Sequence, residues 1–371
     1  MGLRVAEIHD FLEGAFLREQ ITEIVESLYD IGTVTAVNEF FGGFNNRSFG
    51  IETFKDGRAR TYFLRKYKLG VATEKIRFEH ALISHAIKNG FTIGAGIVAT
   101  ARGETFVQPA NSRSMFAIYE YLDGEDKYTW DNPALSDAEF KSAGRVLAIF
   151  HNAVHAFNPA GLQRTEPPIL ALWPLLAEKL AGFARRKKAG KLQAYYEAHL
   201  PSVLDMIARN PFDLTDAQGL PVIPIHCDYH PGNLKWTDEQ VVGIFDFDWS
   251  KMDLRLFDVA MAAIYFCSRW DDDRDGEFRS AKYELFLGAY QQQLRKSAGL
   301  ESLTPAEQKL LPVMLDIANI YLIHWEVSTY MDEAGANDTE YLAYLKHNVR
   351  LMHWLEAHRA AVAKTIAGAL S

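Results

Sequence analysis

With 371 residues, 48% of them hydrophobic and 23% charged, the chain has the makeup of a soluble globular protein large enough for two lobes. Its net charge of −9 leaves no broad cationic face for nucleic acid, and its two cysteines, Cys227 and Cys267, form neither a disulfide framework nor a C-x-x-C metal motif. The opening MGLRVAEIHDFLEG lacks a basic-then-apolar leader, and the longest apolar run, Val259 to Cys267, is too short to cross a bilayer, so a cytoplasmic protein with no membrane partner is expected.

In chain order, residues 1–32 read as a helical extension, clearest over Arg18 to Asp30. Residues 33–67 then alternate in the two-residue period of strands: TVTAVNEF, a Gly-Gly turn, RSFGIETF, a KDGR turn and TYFLRKY make a three-strand meander. Thr73 to Gly90 reads as one helix, with Thr73 as its N-cap and Gly90 as its stop, and GIVAT and SMFAIYEYL supply two more strands. Beyond residue 123 the pattern is mostly helical. Ser136 with Glu139 and Thr304 with Glu307 have capping-box spacing, and Pro312 is expected to kink its helix or restart it. The expected architecture is α+β, with a small β-rich lobe over residues 33–122 and a larger, mostly helical lobe over 123–371.

The helical run is broken once, by VIPIHCDYHPGNLKW and VVGIFDFDWS, where polar side chains interrupt strand-like apolar runs. His226, Asp228 and Asn233 have the H-x-D-x-x-x-x-N spacing of the protein-kinase catalytic loop, and a hairpin would bring Asp246, thirteen residues on, beside Asn233. That set suits phosphoryl transfer from ATP. The reaction needs a carboxylate to orient and deprotonate an attacking hydroxyl, and hard oxygen ligands to hold Mg2+ on the phosphates. Asp228 is the candidate base, Asn233 and Asp246 the candidate Mg2+ ligands. His226 and His230 complete the catalytic segment, with His226 cast as a brace for the loop. Two alternatives remain open on these residues: zinc held by His226 and His230, and a Cys227 nucleophile.

HCDYHPGN followed by GIFDFDW resembles the aminoglycoside phosphotransferase and choline kinase superfamily, in particular its type II homoserine kinase branch. The family pattern has Gly where this chain has Cys227. The resemblance implies a protein-kinase-like two-lobed fold, ATP and Mg2+ as cofactors, and a small hydroxylated substrate. It also extends to the small lobe. FFGGFNNRSFG resembles the nucleotide loop, which assigns Gly42, Gly43, Asn45, Asn46 and Ser48 to the phosphates. TYFLRKY places Arg65 as the phosphate-binding cation with Glu79 as its helix partner, and AIYEYLDG places Glu120, Tyr121 and Leu122 at the adenine. The acceptor is homoserine or another amino alcohol by this resemblance, with aminoglycoside, choline or sugar also within the superfamily's range. A nucleotide-binding pseudokinase is the rival reading.

No A-P-E follows Asp246-Phe247-Asp248, and RLFDVAMAAIYF turns helical too soon to leave a peptide platform, which points to a small acceptor. His151 and His155 are expected to serve packing or a helix face. The acidic loop WDDDRDGE reads as a solvated connection, and Trp325 and Glu326 in YLIHWEVSTYM read as core residues that a substrate pocket could recruit. The spacing of these residues sets no oligomeric state.

Overall fold

The computed structural model describes residues 5–40, 46–110, 112–131, 134–162, 164, 166–186, 188–213, 215–333 and 335–370. Helix α1 (Val5–Leu28) leads into a meander of β1 (Thr33–Phe40), β2 (Arg47–Lys55) and β3 (Arg58–Lys66). Asp56 and Gly57 both have positive φ, which matches the tight two-residue turn that joins β2 to β3. Helix α2 (Thr73–Lys88) follows, then β4 (Ile97–Val98) and β5 (Phe116–Glu120), giving one antiparallel sheet in the order β1-β2-β3-β5-β4. The cap of α2 is Ala72 and not Thr73: Thr73 is the first helical residue, and its hydroxyl turns to the Glu74 carboxylate at 3.3 Å.

Alternation along the strands divides this sheet between two tasks. Leu64, Phe116 and Ile118 face the inner side of α1, where they form one core with Leu17, Ile21, Ile24 and Val25. Arg65, Ala117 and Tyr119 face the other way, towards α2 and the second lobe.

The large lobe holds α3 (Asp137–Val154), α4 (Ile169–Arg185), α5 (Lys191–Arg209), β6 (Val222–Ile225), β7 (Leu234–Thr237), β8 (Gln240–Ile244), β9 (Lys251–Leu254), α6 (Arg255–Cys267), α7 (Ser280–Lys296), α8 (Pro305–Asp332), α9 (Asp338–Ala357) and α10 (Arg359–Leu370). The capping boxes of α3 and α8 form, at Ser136–Glu139 and Thr304–Glu307. Helix α8 runs unbroken through Pro312. It is long and apolar enough to cross a membrane by length and composition alone, but 72% of that apolar window is buried inside the fold. β6 pairs with β9 and β7 with β8, so the polar segment lies between two short hairpin-like ladders. The fully buried Arg255 guanidinium pairs with Glu307 at 2.8 and 2.5 Å, joining the first turn of α6 to that of α8. A main-chain contact joins the two lobes, the Ile244 amide donating to the Ile93 carbonyl at 2.9 Å, and just past the lobe boundary Glu125 and Trp236 exchange hydrogen bonds of 2.8 and 3.1 Å.

Candidate active site

The segment after β6 is held from beneath by one carboxylate. Asp258, the only charged side chain between Leu256 and Cys267 on α6, is fully buried and accepts from the His226 and Cys227 amides at 2.8 Å each. It also meets His151 Nε2 at 2.9 Å, and the other nitrogen of His151 meets the Tyr290 hydroxyl at 2.8 Å. Burial would raise the Asp258 carboxyl, but its hydrogen bonds from His151 and the loop amides hold it below the usual carboxylate range. Burial in turn lowers His151, so this histidine is a neutral strut, in line with its expected packing role. The loop needs such an anchor because Cys227 sits at φ +66°, a conformation suited to the glycine of the family pattern.

His226 is closed off from the cleft. It is fully buried, its Nε2 donates to the Phe245 carbonyl at 3.1 Å, and burial lowers its basicity. Its grouping with the catalytic side chains is corrected on that ground: it ties β6 to the end of β8 and does not reach the cleft. A zinc site built on it is excluded by the same geometry. Cys227 is 3% exposed and burial pushes its thiol well above the usual range, which removes the nucleophile reading.

Asp228 opens onto the cleft with both oxygens oriented. Oδ1 accepts from the Tyr265 hydroxyl at 3.1 Å and Oδ2 from Asn233 Nδ2 at 3.2 Å. The same amide nitrogen bonds the Asp228 carbonyl at 2.9 Å, which leaves Asn233 Oδ1 outside this pairing. His230 caps the 3-10 turn Pro231–Asn233 by accepting from the Gly232 amide through Nδ1. Its Nε2 is 3.7 Å from Asp228 Oδ2, too far for a hydrogen bond.

Opposite this loop, Arg65 projects from β3, nearly buried, and faces three acids. Nη1 lies 2.5 Å from Asp248 and 3.3 Å from Glu79, and Nη2 lies 3.3 Å from Asp246. Although burial disfavours its charge, Asp248, Asp246 and Glu79 together keep Arg65 firmly cationic. One cation does not balance three carboxylates. Burial, with Asp248 adding to it, pushes Glu79 up to about 8. Burial and the neighbouring Asp248 and Asp228 charges, opposed by Arg65, leave Asp246 at about 6. Asp246 also has positive φ, +61°, the kind of backbone strain that collects at functional sites.

These groups line one cleft between the lobes, about 800 Å3 in volume. Asn46, Ser48, Phe63, Tyr119 and Leu122 form its small-lobe wall. Asn46 directs its amide to Asp248 at 2.6 Å, while Gly42, Gly43 and Asn45 lie outside the described residues. At the strand end, the Glu120 amide already donates to the Gly96 carbonyl at 2.7 Å, so a base docking here can use only the Glu120 carbonyl and the backbone of Tyr121 and Leu122. Asn233 and Asp246 bring an amide and a carboxylate oxygen to the same cleft. Among the described residues no group of three or more His, Cys, Asp or Glu side chains forms a closed metal cage. An open pair of hard oxygens beside excess negative charge fits Mg2+, which takes water and phosphate for its remaining positions.

Sequence reasoning passed over Asp258, Tyr265 and Asp248 as site residues. A lone acid in an apolar helix was the available signal for the first. Tyr265 gave none, because its partner Asp228 is 37 residues away. The far wall, where Trp130, Trp270, Trp325, Tyr341 and Tyr344 gather, comes from four separate stretches of chain.

The sequence profile of the phosphotransferase enzyme family matches residues 37–297. A homoserine kinase of Phenylobacterium zucineum is 27% identical over 288 residues, 77% of each chain. Among solved structures, a spectinomycin phosphotransferase in complex with ADP and spectinomycin superposes with a TM-score of 0.64 at 14% identity, over 91% of this chain and 98% of that one. A microcompartment-associated aminopropanol kinase gives 0.62 at 16% identity, over 93% and 98%. With a profile match across most of its length and the same two-lobed, protein-kinase-like fold as these structures, the chain belongs to the phosphotransferase enzyme family.

Proposed function

We propose that this phosphotransferase moves the γ-phosphate of ATP, with Mg2+, onto a hydroxyl of a small polar acceptor, homoserine or another amino alcohol being favoured over an aminoglycoside, choline or a sugar. The observation that carries this reading is the convergence of Asp228, Asn233, Asp246 and Arg65 on one interlobe cleft. Asp228, its two oxygens held by Tyr265 and Asn233, orients the acceptor hydroxyl and takes its proton. Arg65, kept in place by Glu79, binds phosphate oxygens. Asn233 Oδ1 and Asp246 would hold Mg2+, whose charge, when it is bound, neutralises the phosphates. His230 closes the turn that presents Asn233.

The small acceptor is supported by the chain after Asp246. Strand β9 and helix α6 begin at Lys251 and Arg255, so there is no extended segment to dock a peptide. The amino-alcohol preference is supported by relatives named homoserine kinase and by the likeness to an aminopropanol kinase.

The test is ATP consumption by the purified protein with Mg2+ across amino alcohols, sugars and aminoglycosides, beside Asp228→Asn. Turnover should fall at least about a thousandfold in the variant while nucleotide binding is kept. Equal turnover in the two proteins, or nucleotide binding without turnover on any acceptor, would refute it.

A further inference from the structure

We propose that the far end of the cleft is a subsite for a primary ammonium group, and that the acceptor is therefore an amino alcohol without a carboxylate. This rests on the phosphotransfer reading above and narrows it. The first observation is a pair of buried acceptors without donors. Glu326 of α8 and Asn348 of α9 are each 3% exposed and both line the cleft. Asn348 Nδ2 donates to Glu326 Oε1 at 2.5 Å, but Glu326 Oε2 and Asn348 Oδ1 have no hydrogen-bond partner. Unpaired oxygens in such a place are costly, and burial pushes the Glu326 carboxyl well above the usual range, a penalty that a cation bound beside it would lift. A primary ammonium carries three N–H donors and a positive charge, and so answers both oxygens at once. A quaternary ammonium carries no donor and leaves them unpaired.

The surrounding wall suits the same charge. Trp130 lies 4.5 Å from Tyr344 and 5.0 Å from Trp270, centroid to centroid, with the rings near perpendicular at 78° and 84°. Trp325 and Tyr341 line the cleft beside them. Stacked edges and faces of this kind attract a cation and exclude water. Tyr265 lines the same cleft as Glu326, and its hydroxyl bonds Asp228 at 3.1 Å. A short amino alcohol thus places its amine at Glu326 and its hydroxyl at Asp228.

The second observation concerns what a carboxylate would meet. The only Lys and Arg side chains among the described lining residues are Arg65 and Lys235. Arg65 is surrounded by three acids, and Lys235 pairs with Asp126 at 2.7 Å. Arg164 lies over the Trp249 ring at 5.6 Å but does not line the cleft. The carboxylate of homoserine would therefore be set among indole and phenol rings near Glu326, with no counter-charge. The amine that homoserine shares with simpler amino alcohols fits; its acid group does not.

The experiment is a panel of acceptors on the wild-type protein with ATP and Mg2+: ethanolamine, aminopropanol, choline, homoserine and propanediol, the last having hydroxyls and no amine. The expected result is a kcat/KM for ethanolamine or aminopropanol at least about tenfold above each of the others. In Glu326→Gln, the KM for the preferred amine should rise at least about tenfold while the KM for ATP stays put. Preference for homoserine or choline, equal use of propanediol, or an unchanged amine KM in Glu326→Gln would each overturn the subsite. Should ATP bind and no acceptor be phosphorylated, it is the phosphotransfer reading that fails. Calorimetric titration of aminopropanol into the protein with Mg2+ and a non-hydrolysable ATP analogue then decides the subsite alone: heat of binding that disappears in Glu326→Gln supports it, and no heat overturns it.

Discussion

Replacing Asp258 with Asn tests whether the catalytic loop is held from below. The carboxylate accepts from the His226 amide, the Cys227 amide and His151 at 2.8, 2.8 and 2.9 Å. Asn has nearly the same shape but turns one acceptor oxygen into a donor NH2, so at most one loop amide keeps its partner and another donor faces a donor. The His226 amide and His151 share Oδ2 while the Cys227 amide takes Oδ1, so at least one bond is lost. Hydrogen bonds to a buried charged group contribute about 1.5–3 kcal/mol each, so the variant should be less stable by at least about 1.5–3 kcal/mol. Cys227 at φ +66° stores about 1–2 kcal/mol, and its relaxation once the amide is released offsets part of this loss while drawing the loop out of position. Asp228 is the next residue, and a shift of about 1 Å in its carboxylate would lower kcat about a hundredfold. The pH signature has a definite sign. A carboxyl held below its unfolded value contributes stability above about pH 4, and the contribution is lost as pH falls through the depressed folded value. Urea denaturation at neutral and acidic pH, with kcat on the preferred acceptor, reads all three effects. A loss of stability under about 1 kcal/mol with kcat within twofold of wild type would show that Asp258 does not anchor the loop.

Two further outcomes follow from the acids around Arg65 and from Cys227. Glu79 at about 8 and Asp246 at about 6 both stand above their unfolded values, so the ligand-free fold holds protons that the unfolded chain has released. Stability from these groups is complete below about pH 4 and is lost as pH rises through 6 and then 8, which a falling Tm between pH 5 and 9 should show. Mg2+ with nucleotide should flatten that fall, because it supplies the missing positive charge; an equal slope with and without it would refute the assignment of Asp246 as a ligand. Cys227→Gly should keep kcat within about twofold and stability within about 1 kcal/mol, since relief at positive φ offsets a lost buried thiol. A tenfold fall in kcat would show that the thiol itself takes part.

The parts of this molecule that sequence pattern reveals are those whose physics is local. Alternation over β1 to β3 carried the small lobe, and a capping box at Ser136 with Glu139 marked the start of α3, because strands and caps are written within a few residues of one another. The catalytic segment was equally legible, since a loop that must present Asp228 and Asn233 five residues apart compresses chemistry into a contiguous string. Thr73 shows the limit even of local rules: its type suits a cap, but the helix begins one residue earlier and its hydroxyl found Glu74.

What pattern could not reach is the far wall of the cleft, and the reason is topological. Trp130 follows the strand that leaves the small lobe, Trp270 lies beyond α6, Glu326 is midway along α8, and Tyr344 and Asn348 are on α9. Each looks like an ordinary core residue in its own stretch; even Glu326, which with Trp325 reads as a core residue that a substrate pocket could recruit, sits among buried apolar neighbours in its helix. Only the fold brings the unpaired Glu326 oxygen and the rings into one place. The division has a physical basis. Transfer of phosphate needs the same few oxygens in the same order whatever the acceptor, so its residues stay together in sequence. Choice of acceptor needs only a shape and a charge, which separate helices can supply from any distance along the chain. A wall assembled that way can exchange an acid for a base, or a ring for a methyl, without disturbing Asp228, and the identity of the acceptor must be read from the cleft itself.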